Sequence, residues 1–154
     1  MHLYLVRHAD ALEGANDDAR PLSPKGVEQI QRVGDWLRVA GAVEVDEIWH
    51  SPLVRARDTA MRLAGQLKSR AKLRPMDDLR SEDDPEKILR RLNELRKPVM
   101  LVGHNPHVSF LATLLVTGRP SPAGFAFKKC AVLRLDREGG AWTVRWLISP
   151  ELVK

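Results

Sequence analysis

Apolar residues recur along the chain in two alternating rhythms, short unbroken runs and longer stretches with helical spacing. That alternation predicts strand-then-helix units around a largely parallel sheet. Leu3 to Val6 is an unbroken apolar run, as expected of a central strand buried on both faces. Its end delivers Arg7 and His8 to the rim of the sheet. After a polar loop, Ser23 is placed to cap a helix with Pro24 at its first position. Val27, Ile30, Val33, Leu37 and Ala40 form the apolar stripe of that helix before Gly41 stops it. Glu47 to His50 reads as a second short strand. Ser51 and Pro52 then repeat the cap-and-proline start of a helix running to about Leu67, with Arg55 in or just after its first turn.

Residues 71–75 predict another strand, and Asp84 with Pro85 opens a third helix whose Ile88, Leu92 and Leu95 face the core. Val99 to Val102 is the second strong central strand. Gly103, His104, Asn105 and Pro106 follow it, with Asn105 as the expected cap of a fourth helix that carries Val108, Leu111, Leu114 and Leu115 and ends near Gly118. KKCAVLRLD, the Gly139-Gly140 turn and AWTVRWLI predict a terminal hairpin, which makes Cys130 a buried strand residue. The expected fold class is α/β: one domain, a largely parallel central sheet with helices on both faces, and no internal repeat or linker.

A chain of 154 residues with 44% hydrophobic side chains supports one sizeable core and leaves no room for a second useful domain. No apolar run approaches the roughly 20 residues of a membrane span. The start MHLYLVRHAD lacks both a basic leader and a long apolar stretch ending in a cleavage site, so a soluble, cytoplasmic protein is expected. The single cysteine excludes an internal disulfide and a cysteine-based zinc site. Lys and Arg number 25 against 20 Asp and Glu, and the formal net charge of +5 favours anionic partners. The densest basic stretches, residues 68–74 and the group Arg90, Arg91, Arg96 and Lys97, contain no aromatic side chain to stack on bases. Both read as solvated faces, and nucleic acid is not an expected partner.

In open α/β sheets ligands bind beyond the carboxyl ends of the strands, and three strand-to-helix junctions here carry a cation or an imidazole there: Arg7-His8, Ser51 to Arg55, and His104. Brought together at one rim, two guanidiniums, two imidazoles and two helix N-termini would form an electropositive pocket of phosphate dimensions. Other phosphate chemistries lack their parts. His104 and His107 lie three apart with no glutamate between them, unlike the HExxH zinc helix. Cys130 meets Asp136, not arginine, six positions on, and neither GxxxxGK[ST] nor GxGxxG occurs.

The ordered set LYLVRHAD, RPLSPKG, SPLVRARDTA and LVGHNP resembles the histidine phosphatase superfamily in order and spacing, over residues 3 to about 117. The short length without a cap domain is most similar to the SixA-type phosphohistidine phosphatase branch. The resemblance implies that His8 accepts the phosphoryl group, that Arg7 and Arg55 clamp it, that His104 is a further pocket contact, and that no metal or other cofactor takes part. The residue chemistry agrees: a neutral imidazole can attack phosphorus in line, and guanidiniums follow the charge spreading over the equatorial oxygens. A protonated His104 would add a donor.

The chain departs from the family pattern at two places. Ala9 stands where a glycine commonly follows the RH pair. Asn105 stands where some branches carry an aspartate as general acid, and other branches draw a glutamate from an inserted segment. Asp10, Glu82 and Asp83 are the candidates for a proton donor or for the pocket rim, although an acidic loop capping the third helix explains the last two equally well. A missing strong acid favours leaving groups of low pKa, a phosphohistidine or an aryl phosphate, over a sugar phosphate. The expected partner is accordingly a phosphorylated protein or a small phosphoester. The competing readings are a phosphoglycerate-mutase-like transferase, disfavoured by length, and a noncatalytic phosphate-binding module. Arg20 is a candidate for organising the first loop or binding substrate. His2 and His50 read as structural, and His107 as an exposed helix residue.

Overall fold

The computed structural model describes residues 1–153. Six strands form one mixed sheet in the order β3-β2-β4-β1-β5-β6: β1 His2–Arg7, β2 Glu47–His50, β3 Lys72–Pro75, β4 Val99–Gly103, β5 Val132–Glu138 and β6 Ala141–Ile148. The first four in that order run parallel, and the terminal hairpin adds two antiparallel strands beside β1. Four helices connect them: α1 Pro24–Ala40, α2 Val54–Gln66, α3 Pro85–Glu94 and α4 His107–Thr117. The described residues form one α/β domain, as the apolar rhythms predict.

Side chains alternate across each strand, and the alternation divides the core into two layers. Tyr4, Val6, Ile48, Met100 and Val102 pack with Ile30, Val33 and Leu37 of α1 and Ala60 and Leu63 of α2. Leu3, Leu5 and Leu101 point the other way, onto Ile88 and Leu92 of α3 and Val108 and Leu111 of α4. The predicted bounds of α1 hold at both ends. The Ser23 hydroxyl accepts from the Gly26 amide, and Gly41 ends the helix in the left-handed conformation at φ 60°. Asp84 caps α3 by accepting from the Glu86 amide at 3.0 Å.

Two helix starts differ from expectation, for the same reason. Ser51 does not cap α2, which begins at Val54 without a side-chain cap. Its hydroxyl instead accepts from the Leu53 amide at 3.3 Å and lies 2.8 Å from His104 Nε2. Asn105 does not cap α4, which begins at His107. Its carboxamide donates to the Phe127 carbonyl at 3.2 Å and accepts from the Ser109 hydroxyl at 3.0 Å. Both candidate caps are committed to loops of the sheet's carboxyl rim. Ala40 is exposed, and α1 buries Gly26 and Gly34 in addition to its large apolar residues. Cys130 is buried but lies in the turn before β5, not in the strand, at φ 62°. Its amide reaches the carbonyls of Arg7 at 3.0 Å and His8 at 3.2 Å, so the turn is clamped onto the end of β1.

Gly26 fixes how closely α1 approaches the loop after β1, because a Cβ there would lie 2.1 Å from the Asp10 carbonyl oxygen. Backbone offers no flexible end to yield. We expect Gly26→Ala to destabilise the protein by about 2 kcal/mol or more, the upper range for overpacking, read as a lower midpoint in urea unfolding. An unchanged midpoint would contradict the tight contact.

Candidate active site

Chain direction reverses at the centre of the sheet. β1 leads to α1 on one face and β4 to α4 on the other, so a crevice opens beyond their adjacent carboxyl ends. The register pairs Arg7 with Gly103, and the His8 amide continues the ladder by donating to the Gly103 carbonyl at 2.9 Å. His8 and His104, the next residues of the two strands, therefore face each other with ring centroids 5.0 Å apart.

His8 is buried and its Nδ1 lies 2.8 Å from the carbonyl oxygen of Ala9. A carbonyl only accepts, so Nδ1 carries the proton and Nε2 keeps its lone pair. Burial pushes the imidazole pKa down to about 4, aided by the positive charges of Arg55, Arg7 and Lys129 and opposed by the bond to Ala9. The side chain is neutral at pH 7. The Ala9 amide donates to the Thr59 hydroxyl at 3.0 Å, and that hydroxyl donates to the Arg55 carbonyl at 2.7 Å, tying the loop of His8 to α2. Thr59 escapes a reading for charge and nucleophiles, although it stands one helical turn after Arg55 in SPLVRARDTA.

Arg7 and Arg55 flank the imidazole, and each is fixed from behind. Arg7 Nη1 donates to the Phe127 carbonyl at 2.9 Å. Arg55 Nη1 donates to the Asp17 carbonyl at 2.8 Å and Nη2 to the Asp17 carboxylate at 3.3 Å. The Nε–H of each is buried with no hydrogen-bond partner among the described residues. Unmet buried donors on fixed cations are costly by themselves, and a charge-assisted bond to an anion is one way to satisfy such a donor. Asp17 had no sequence signal beyond its place in a polar loop. Arg20 organises that loop, donating to the Leu12 carbonyl at 2.8 Å and to Asp17 at 3.2 Å.

His104 is buried, and burial, with the His8 imidazole and the Arg55 guanidinium close by, lowers its pKa to about 3. It is therefore neutral in the unliganded pocket, in contrast to the protonated donor considered from sequence. The Ser51 hydroxyl, already accepting from the Leu53 amide, uses its own proton on His104 Nε2, which leaves the His104 proton on Nδ1. That Nδ1 is buried without a partner among the described residues, a third unsatisfied group at the crevice.

The acidic candidates fall at different places. Asp10 lies beside the loop of His8, but its carboxylate accepts from Lys129 at 2.7 Å and from Ser23 at 2.6 Å. The Lys129 contact foremost holds its pKa below the usual carboxylate range. Glu82 and Asp83 line a separate cavity of about 420 Å³ with Pro106 and Phe110, and Asp83 accepts from the Arg80 amide at 2.8 Å. Among the described residues no carboxylate bonds to His8 or His104, and none forms a group of three or more with other side chains suited to hold a metal ion. His107 is buried rather than exposed, with burial lowering its pKa. His2 pairs with Asp136 at 3.0 Å and His50 bonds to the Ser51 carbonyl at 2.9 Å, both structural uses. Burial pushes the Cys130 thiol up to about 12, which leaves it without thiolate character. No helix among the described residues is long and apolar enough to cross a membrane.

Known proteins resemble the chain in sequence and in fold. The sequence profile of the histidine phosphatase superfamily (branch 1) matches residues 3–83. Phosphohistidine phosphatase SixA of Escherichia coli K12 is 29% identical over 155 residues, spanning 97% of this chain and 94% of that protein. An uncharacterized Mycobacterium tuberculosis protein is 30% identical over 117 residues, which cover 73% of this chain and 70% of the other. Among solved structures, the protein histidine phosphatase SixA complexed with tungstate superposes with a TM-score of 0.89 at 28% identity, covering 100% of both chains. With the family profile matching more than half of its residues and its whole length following that fold, the chain belongs to the histidine phosphatase superfamily and is a SixA-like phosphatase.

Proposed function

We propose that the protein hydrolyses protein phosphohistidine or a small phosphomonoester through a covalent phosphohistidine at His8. The observation that carries this reading is the fixed tautomer of His8. With its proton held on Nδ1 by the Ala9 carbonyl, the neutral ring offers the Nε2 lone pair beside two guanidiniums whose Nε–H groups lack partners among the described residues. Nε2 attacks phosphorus and the bond to the leaving group breaks; water then attacks the phosphohistidine, releasing inorganic phosphate and restoring His8. Arg7 and Arg55 stabilise the equatorial oxygens in both steps, the task that magnesium performs in other phosphoryl transfers. The neutral Nδ1–H of His104 supplies a further donor to the same oxygens. The similarity to SixA, whose name specifies phosphohistidine, supports a phosphorylated protein as substrate. So does the chemistry of departure, because an imidazole leaves with less help from an acid than an alkoxide does.

Phosphate release from an aryl phosphate and from a phosphohistidine protein, with chelator present, tests this reading. Wild type is expected to turn over both, and His8→Ala to lose at least about a thousandfold in kcat, the scale seen when a nucleophile is removed. Binding without release would favour a noncatalytic phosphate module instead, and equal activity in the variant would rule out His8.

The neutral imidazoles also imply a pH signature. His8, His104 and His107 have folded pKa values depressed below the unfolded value of about 6.5. The unfolded chain therefore binds protons that the folded one refuses as pH falls from about 6.5 toward about 4, and stability drops across that window. Above about 6.5 the three groups add no slope. Urea midpoints measured from pH 7 to pH 5 should fall, and His8→Ala should flatten the fall. A flat wild-type profile would contradict neutral burial.

A further inference from the structure

A cleft of about 590 Å³ begins at Arg7 and runs along the first turns of α1 toward the loop before β5 and the end of the chain near Pro150. We propose that this cleft receives an acidic segment of a phosphorylated protein, next to the side chain that delivers its phosphoryl group to His8. The proposal rests on the phosphatase reading and deepens it by naming what kind of substrate the site selects.

The cleft adjoins the site through Arg7, which lines it although His8, Arg55 and His104 do not, and it is far larger than a phosphoryl group fills. Its lining is almost wholly charged, with Pro150 the lone apolar residue. No aromatic side chain lines it, and the charged ends gathered around it suit ionic contacts. Five cationic side chains meet three carboxylates around it. The cations already hold carboxylates of this chain: Lys129 binds Asp10 at 2.7 Å, Arg32 binds Glu28 at 2.6 Å and Lys128 approaches Glu151 at 3.5 Å. Arg32, Glu28, Lys128 and Glu151 are all substantially solvent-accessible, and exposed pairs exchange partners at little cost. Lys25 is exposed and has no carboxylate partner among the described residues, so it stands free to take an incoming one.

The route to His8 suits a partner of this kind. His8 is 8% exposed, which admits a slender phosphorylated side chain, and among the described residues no element lies over the rim as a cap. Complementary charge beside the point of chemistry would orient that body and speed encounter.

The test uses the full chain and two synthetic peptides of equal length, each carrying one phosphohistidine, one flanked by Asp and Glu and the other by Lys and Arg. Lys25→Glu combined with Arg32→Glu reverses the cleft without touching the phosphate clamps. Glu near a helix N-terminus is favourable at position 25, and Arg32 is exposed, so the fold is expected to hold. Wild type is expected to prefer the acidic peptide by about tenfold or more in kcat/KM, a preference that shrinks with added salt. The double variant should lose or invert it, while kcat/KM for p-nitrophenyl phosphate stays within about twofold of wild type. Equal use of the two peptides by wild type, or a preference unaltered in the variant, would overturn the proposal with the phosphatase reading intact. If wild type released phosphate from neither peptide nor from p-nitrophenyl phosphate, the phosphatase reading would fail. Fluorescence anisotropy with the same peptides would then judge the cleft alone, with tighter binding of the acidic peptide supporting it and equal binding overturning it.

Discussion

The pairing of β1 with β4 is the constraint on which the site depends. Because Arg7 is level with Gly103 and the His8 amide closes on the Gly103 carbonyl at 2.9 Å, two imidazoles far apart in sequence emerge side by side. A slip of one residue would turn β1 inside out relative to β4, since Leu3 and Leu5 serve one core layer and Tyr4 and Val6 the other. The two layers of packing thus fix the register, and the register fixes the distance between His8 and His104. Around this pair the Cys130 turn and the Thr59 hydroxyl hold the loop of His8 from opposite sides.

The electrostatics of the crevice follow from that placement. Two buried rings beside two guanidiniums cannot afford positive charge, and both pKa values fall well below the ordinary imidazole range, to about 4 and about 3. Neutrality is what the role proposed for His8 requires, and burial together with the cations proposed to hold phosphate keeps the ring unprotonated. Asp17 offsets part of this charge. It fixes Arg55 through its carbonyl and carboxylate while leaving the buried Nε–H unspent. The polar loop between β1 and α1 thereby enters the site by supporting an arginine from behind.

Much of this was legible in the sequence because periodicity reports burial. The apolar runs at Leu3–Val6 and Val99–Val102 became the two central strands, and Ser23, Pro24 and Gly41 marked both ends of α1. The junction residues Arg7, His8, Arg55 and His104 were accessible because charge at the end of an apolar run is conspicuous. The errors cluster where a polar residue serves the rim and not the backbone nearest to it. Ser51 and Asn105 look like helix caps by local rules, and tertiary partners, His104 and Phe127, claim them. His107 was misread because α4 is buried on nearly every side, a packing that its own sequence does not reveal. The supports of the site, Asp17, Thr59 and Lys129, act across the fold and carry no local signature.

The proposed mechanism turns on which nitrogen of which histidine bonds to phosphorus. The most direct measurement is phosphorus NMR of the enzyme trapped during turnover and denatured in base, where phosphohistidine survives, with wild type and His8→Ala compared. The structure predicts one phosphohistidine signal, substituted at Nε2, present in wild type and missing in the variant. A signal from Nδ1 substitution, or one that persists without His8, would contradict the mechanism.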